Sequence, residues 1–256
     1  MRQPLIAGNW KMNTTLAEAV ELVQALKPGL DAIAGVGKII CPPFISLATI
    51  SKILENTSIK LGAQNMHFED KGAYTGEISP LMLVGLCQFV IIGHSERRQY
   101  FGETDEIINR KIGKALAYNI TPILCVGESL EDNEKNRTEE VLTRQIEAGL
   151  NNLSPTTELV IAYEPVWAIG TGKAATGKMA GNTIAFIRGL LSKMWNGDIA
   201  KRVRILYGGS VTSSNIADFV SKPEIDGALV GSASLKPEEF LSIVRQTANI
   251  KLRTFS

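Results

Sequence analysis

Eight short apolar runs rich in Val, Ile and Leu recur along the chain, beginning near Leu5, Lys38, Lys60, Phe89, Thr121, Leu159, Val203 and Gly227, and each is followed by a longer segment with helical spacing. A run that is apolar at every position suits a strand buried on both faces, as in a parallel sheet covered by helices. The spacing of roughly thirty residues leaves room for one crossover helix between successive strands. Strand alternating with helix eight times predicts an α/β fold, a single closed (β/α)8 barrel in one domain over residues 1–256. A doubly wound open sheet uses the same local alternation and is the competing topology. No Pro/Ser-rich linker or low-complexity stretch divides the chain.

The intervening segments carry helix signals. Thr15-Leu16-Ala17-Glu18 fits a capping box, and Leu16, Ala19, Val20, Val23 and Leu26 follow at helical spacing, with Pro28-Gly29 expected to stop the helix. Thr138 precedes a stripe through Val141, Leu142, Gln145, Ile146, Gly149 and Leu150. Met179, Thr183, Ile184, Ile187, Leu191 and Met194 form another, and both stripes read as core. Pro237, with Glu238 and Glu239 behind it, opens the last helix.

Charge and cysteine content narrow the function. With 27 Lys+Arg against 26 Asp+Glu, the formal charge of +1 argues against a broad nucleic-acid footprint or a polybasic membrane anchor. The 45% hydrophobic content is ample for a core. Cys41, Cys87 and Cys125 form no CxxC and are too few for a disulfide framework, which implies a reducing, cytoplasmic setting. The first apolar stretch is interrupted by Asn9 and Lys11, unlike a signal sequence, and no run approaches the roughly 18 residues of a membrane span.

Polar residues gather where the apolar runs end, which in such a barrel is the rim that carries the active site. They are Asn9-Trp10-Lys11, Gln64-Asn65, His94-Ser95-Glu96, Glu164, Gly208-Gly209-Ser210 and Gly231-Ser232. Singly, each has an ordinary reading. A lone Lys11 is usually a solvated charge, Glu164 after Leu159–Tyr163 suits a structural salt bridge, and His94 suits a satisfied core histidine. His67 lies in a polar loop and reads as a surface residue. Two His and three scattered Cys give poor support to a metal site, and no cofactor is expected. The glycine turns after the seventh and eighth runs could be plain tight turns. They also sit where this architecture binds phosphate through backbone N–H groups.

Gly170-Thr171-Gly172-Lys173 looks superficially like a P-loop or dinucleotide fingerprint, but Trp167 stands at the place of the leading glycine and Ala174 at that of the Ser/Thr. The stretch from Pro165 to Ala175 reads instead as a mobile loop, stiff at Pro165-Val166-Trp167 and flexible through Gly170 and Gly172.

Taken together, Ala7-Gly8-Asn9-Trp10-Lys11-Met12-Asn13, Gly93-His94-Ser95-Glu96-Arg97-Arg98, Cys125-Val126-Gly127-Glu128, Ala162-Tyr163-Glu164-Pro165-Val166-Trp167 running on to Lys173, Tyr207-Gly208-Gly209-Ser210-Val211 and the Gly231 segment resemble the triosephosphate isomerase family, in its order and over nearly the whole chain. The resemblance implies interconversion of dihydroxyacetone phosphate and D-glyceraldehyde 3-phosphate, in glycolysis and gluconeogenesis. It implies Glu164 as the base, His94 as the carbonyl-polarising group, Asn9 and Lys11 as substrate contacts and Glu96 as support through Lys11. Gly170, Ser210, Gly231 and Ser232 would surround the phosphate, and a homodimer would form through the Gln64–Glu77 loop with Thr75 near its tip. A helix starting at Ser95 is expected to depress the pKa of His94 and favour neutral imidazole.

Two departures stand out. Ser232 replaces a usual glycine, and Thr176-Gly177-Lys178-Met179 replaces the usual Thr-Pro-Glu-Gln, which should loosen the start of the following helix. Other enzyme readings are a metal-dependent epimerase, which wants more His/Asp ligands, and a Schiff-base aldolase, which wants a buried late-strand Lys. A catalytically silent phosphate-binding protein would be expected to lack Glu164, His94 or Lys11, and all are present.

Overall fold

The computed structural model describes residues 2–169 and 175–253. Eight strands form, β1 (Leu5–Asn9), β2 (Gly37–Cys41), β3 (Ile59–Ala63), β4 (Phe89–Ile92), β5 (Thr121–Val126), β6 (Val160–Tyr163), β7 (Arg204–Tyr207) and β8 (Gly227–Val230). Each begins within one residue of its apolar run. All neighbours are parallel and follow chain order, and β1 pairs with β8 from Leu5↔Gly227 to Gly8↔Val230. That pairing closes the barrel and excludes the open sheet.

The helices are α1 (Leu16–Asp31), α2 (Leu47–Ile53), α3 (Pro80–Leu83), α4 (Ser95–Phe101), α5 (Asp105–Ala117), α6 (Leu130–Glu134), α7 (Thr138–Gly149), α8 (Gly177–Met194), α9 (Gly197–Arg202), α10 (Ile216–Val220) and α11 (Pro237–Arg253). Strand alternation divides the core in two. Leu5, Ala7, Ile39, Cys41, Ile91, Ile123, Cys125, Val160, Ala162, Leu206 and Leu229 pack together inside the barrel. Ile6, Ile40, Val90, Leu124, Ile161 and Ile205 point outward into a second cluster with the helices. Both strand faces are therefore dry, which is why the runs lack polar alternation.

The capping box at Thr15 and Glu18 is present, but α1 does not stop at Pro28. It continues to Asp31 with Pro28 inside it, and Leu30 is buried. Gly29 meets the side chain of Leu241 so closely that a Cβ there would lie 2.6 Å from Leu241 Cδ2. Packing against α11 thus holds the final turn despite the missing proline N–H. In α8, Ile184, Ile187 and Leu191 are core as expected, whereas Met179 is half exposed near the helix start. His67 is not a free surface side chain: its ring lies against Phe68 and Tyr74, and Nδ1 accepts the Glu69 N–H at 3.0 Å.

Candidate active site

The C-terminal ends of the strands enclose a cavity of about 280 Å3. Asn9 and Lys11 after β1, His94 after β4, Glu164 after β6, Gly208–Ser210 after β7 and Gly231–Ser232 after β8 line it, with Ile169 and Leu229 as apolar walls. A larger cleft of about 930 Å3 lies behind Glu164, between the Ser95–Glu106 segment and α7. It includes neither Lys11 nor the glycine turns. The smaller cavity is therefore where acid, base and anion-binding groups meet.

Lys11 occupies a left-handed backbone conformation with φ 54°, uncommon for a non-glycine residue and sustained only by its surroundings. Its N–H donates to Asn9 Oδ1 at 3.0 Å, and its carbonyl accepts from Gln64 Nε2 at 2.8 Å. The same Gln64 amide reaches the Cys41 carbonyl at 2.9 Å, joining the ends of β1, β2 and β3. So held, Lys11 Nζ donates to Glu96 Oε1 at 2.6 Å. Asn65, by contrast, points away from this cation and accepts from Lys111 Nζ at 2.8 Å.

Glu164 is buried, and its backbone runs so close to Gly127 that a Cβ there would lie 1.7 Å from the Glu164 carbonyl oxygen. Gly208 serves the same residue, since a Cβ would come within 2.8 Å of Glu164 Cγ. This role for a glycine read as part of a phosphate turn had no sequence signal beyond the residue type. The Glu164 carboxylate accepts the Ser95 N–H, at the start of α4, on Oε2 at 3.0 Å, and Oε1 lies 3.0 Å from His94 Nε2.

His94 Nδ1 accepts the N–H of Glu96 at 3.2 Å. An acceptor nitrogen carries no proton, so a neutral ring has its proton on Nε2, aimed at Glu164. The expected depression of the histidine pKa is nonetheless not what this arrangement produces. Burial does lower it, but the Glu164 carboxylate against Nε2, with Glu96 nearby, outweighs burial and raises the imidazole above its ordinary value. Conversely, burial pushes Glu164 up, and His94, the Ser95 N–H and Lys11 together bring it below the usual carboxylate range. The helix start does set an N–H against Nδ1, but the negative charge of Glu164 at Nε2, with that of Glu96 near Nδ1, favours the imidazolium more strongly.

Gly231 has a different environment. A Cβ there would meet only Lys11 Cε, at an ordinary 3.6 Å. Protein packing therefore leaves room for a side chain that the sequence omits. Ser232 begins the short turn Ser232–Leu235, closed by Ser234 N–H and hydroxyl bonds to the Gly231 carbonyl at 2.8 and 2.7 Å. Ser210 is steadied through its carbonyl by Asn215 Nδ2 at 3.2 Å. Gly170 and Gly172 lie outside the described residues.

A model of the family described as triosephosphate isomerase matches residues 4–247. The chain belongs to the triosephosphate isomerase family. Among curated members named triosephosphate isomerase, one from Dehalococcoides mccartyi is 57% identical over 98% of this chain and 100% of its own. Others from Clostridium botulinum and Clostridium novyi are 56% and 52% identical over 95% of this chain and 99% and 98% of theirs. Against that family background, the triosephosphate isomerase motifs converge here on one cavity from five different strand ends. Among the described residues, no group of three or more His, Cys, Asp and Glu could hold a metal ion.

Proposed function

We propose that Glu164, His94, Lys11 and Asn9 carry the family's reaction in this chain, the interconversion of dihydroxyacetone phosphate and D-glyceraldehyde 3-phosphate through an enediolate. The observation that carries the assignment is the apposition of Glu164 and His94 in a cavity that Lys11 and the glycine turns also line. A C–H beside a carbonyl is a weak acid, so its removal needs a desolvated carboxylate matched by electrophiles aimed at the developing oxyanion. Substrate entering between the two side chains parts Glu164 from His94. The carboxylate then loses its strongest counterpart and becomes a better base, while the Nε2–H is released to the substrate oxygen. Lys11 adds positive charge at the same oxygen side, held in reach by Glu96. Glu164 takes the proton from one carbon and returns it to the neighbouring one, and the hydroxyl proton passes from the first oxygen to the second, so the interconversion balances without a cofactor.

Ser210, Gly231 and Ser232 form the phosphate end in this proposal, with Gly170 a further contact. The unfilled space beside Gly231 supports it, because an anion approaching the backbone needs that Cβ absent. The Ser232 hydroxyl adds a donor where the family usually has none. The chain acts as one barrel domain in the cytoplasm, as a homodimer through the Gln64–Glu77 loop, with glycolysis and gluconeogenesis as its setting. No helix among the described residues is long and apolar enough to cross a membrane.

A coupled isomerisation assay on Glu164→Asp and Glu164→Gln tests the base. Shortening the side chain should lower kcat by about 10²-fold, and removing the carboxylate by about 10²- to 10⁴-fold, with inhibition by inorganic phosphate little changed. Wild-type rates in either variant would remove Glu164 from the role.

A further inference from the structure

We infer that Asp218 is a positioning residue for the reaction, its carboxylate latching the first amide of α8 to the element that seats Ser210. Gly177 N–H donates to Asp218 Oδ2 at 2.6 Å. The two backbones are also in near contact, since a Cβ on residue 177 would fall 2.4 Å from the Asp218 carbonyl oxygen and 2.7 Å from its Cγ. Only glycine allows this approach. Gly177 therefore has two roles here, providing an N–H and leaving out a side chain. Proline, the residue usual at this place in the family pattern, can do neither.

The expected consequence of losing that proline was a loosened helix start. In the structure Gly177 is buried, tied to Asp218, and preceded by Thr176, whose hydroxyl accepts the Met179 N–H at 3.2 Å. The Asp218 carboxylate is oriented on its other side by Lys222 Nζ, 3.4 Å from Oδ1 and one turn further on.

The latch joins two parts of the catalytic rim. Asp218 lies on α10, and the turn that opens α10 reaches back to the cavity: Asn215 Oδ1 accepts the Thr212 N–H at 2.8 Å while its Nδ2 donates to the Ser210 carbonyl. Gly177 lies at the far end of the β6–α8 connection, whose near end carries Glu164 and Ile169 into the same cavity. Asp218 thereby sets the register between the connection that follows the base and the turn that presents Ser210. Small errors in such register are costly, because reacting groups must be held within a fraction of an ångström.

The inference rests on the site assignment above, and its test separates the two. Steady-state kinetics with triose phosphate, inhibition by inorganic phosphate and thermal midpoints are measured for the full-length wild type, Asp218→Ala, Asp218→Asn and Gly177→Ala. Asp218→Ala should lose roughly three- to tenfold in kcat/KM and weaken phosphate inhibition. Asp218→Asn, which keeps an acceptor oxygen, should restore most of both. Gly177→Ala must break the latch sterically, and adding Asp218→Ala to it should cost little more. Asp218→Ala with kinetics within twofold of wild type, or Asp218→Asn as impaired as the alanine variant, would overturn the latch. A rate loss that merely tracks a lowered thermal midpoint and vanishes on cooling would overturn it too. A wild type inactive on triose phosphate would instead overturn the site assignment itself.

Discussion

At the scale of single residues, the site is governed by one coupled pair. Glu164 and His94 lie 3.0 Å apart, both buried, so each sets the ionisation of the other. For Glu164 the opposing influences are burial, which favours the neutral acid, and His94, the Ser95 N–H and Lys11, which favour the carboxylate and prevail. His94→Gln removes the largest of the favouring influences and leaves burial in place. The Glu164 pKa must then rise, and the acidic limb of the kcat/KM profile should move to higher pH, on top of a lower rate. An unmoved or lowered limb would show that the pair is not coupled in the free enzyme. The individual residues were largely legible in the sequence because each stands at the end of an apolar run. The coupling of Glu164 to the start of α4 was not, for Ser95 and Glu164 are 69 positions apart, while the pairing of Lys11 with Glu96, 85 positions apart, was implied only by the family resemblance.

At the scale of elements, strands were easier to read than their joints. A strand dry on both faces announces itself as a continuous apolar run, and a capping box lies within four residues. The joints depend on contacts between elements distant in sequence. Pro28 sits inside α1 because α11 packs over Gly29. Gly127 is required by the carbonyl of Glu164 on the neighbouring strand end, and Gly227 by β1. Gly227 has φ 148°, and a Cβ there would lie 1.8 Å from the Leu5 carbonyl oxygen. Gly227→Ala must therefore spread the β1–β8 seam, at a cost of about 3 kcal/mol or more from backbone strain and overlap combined. Urea unfolding should show a lower midpoint. A wild-type midpoint would mean that the seam tolerates more separation than its geometry allows.

For the molecule as a whole, the connections after β1 to β4 share one sector of the rim, and several large apolar side chains on them face outward. Met12 is 97% exposed, Ile45 72% and Phe101 67%, with Tyr74 and Met82 also exposed. Gln64, at the start of the third connection, bonds the carbonyls of Lys11 and Cys41, so the first of these connections, which carries Met12 next to Lys11, is tied to the ends of β2 and β3. An apolar sector of this kind is costly in water and is relieved by association. Analytical ultracentrifugation should find the proposed dimer, and Met12→Asp combined with Ile45→Asp should shift it toward monomer and lower kcat through Lys11. A fully monomeric wild type with undiminished activity would refute the proposed assembly.

What the sequence by itself determined is the set of elements and the stock of reactive groups, because hydrophobic periodicity and local capping act over a few residues. Tertiary structure alone decided which partners shift the ionisation of those groups, which glycines serve packing and which border open space, and that the Gly177 N–H meets the Asp218 carboxylate. Those outcomes depend on atoms brought within a few ångströms by closure of the barrel, and electrostatic and steric forces are set by that separation rather than by distance along the chain.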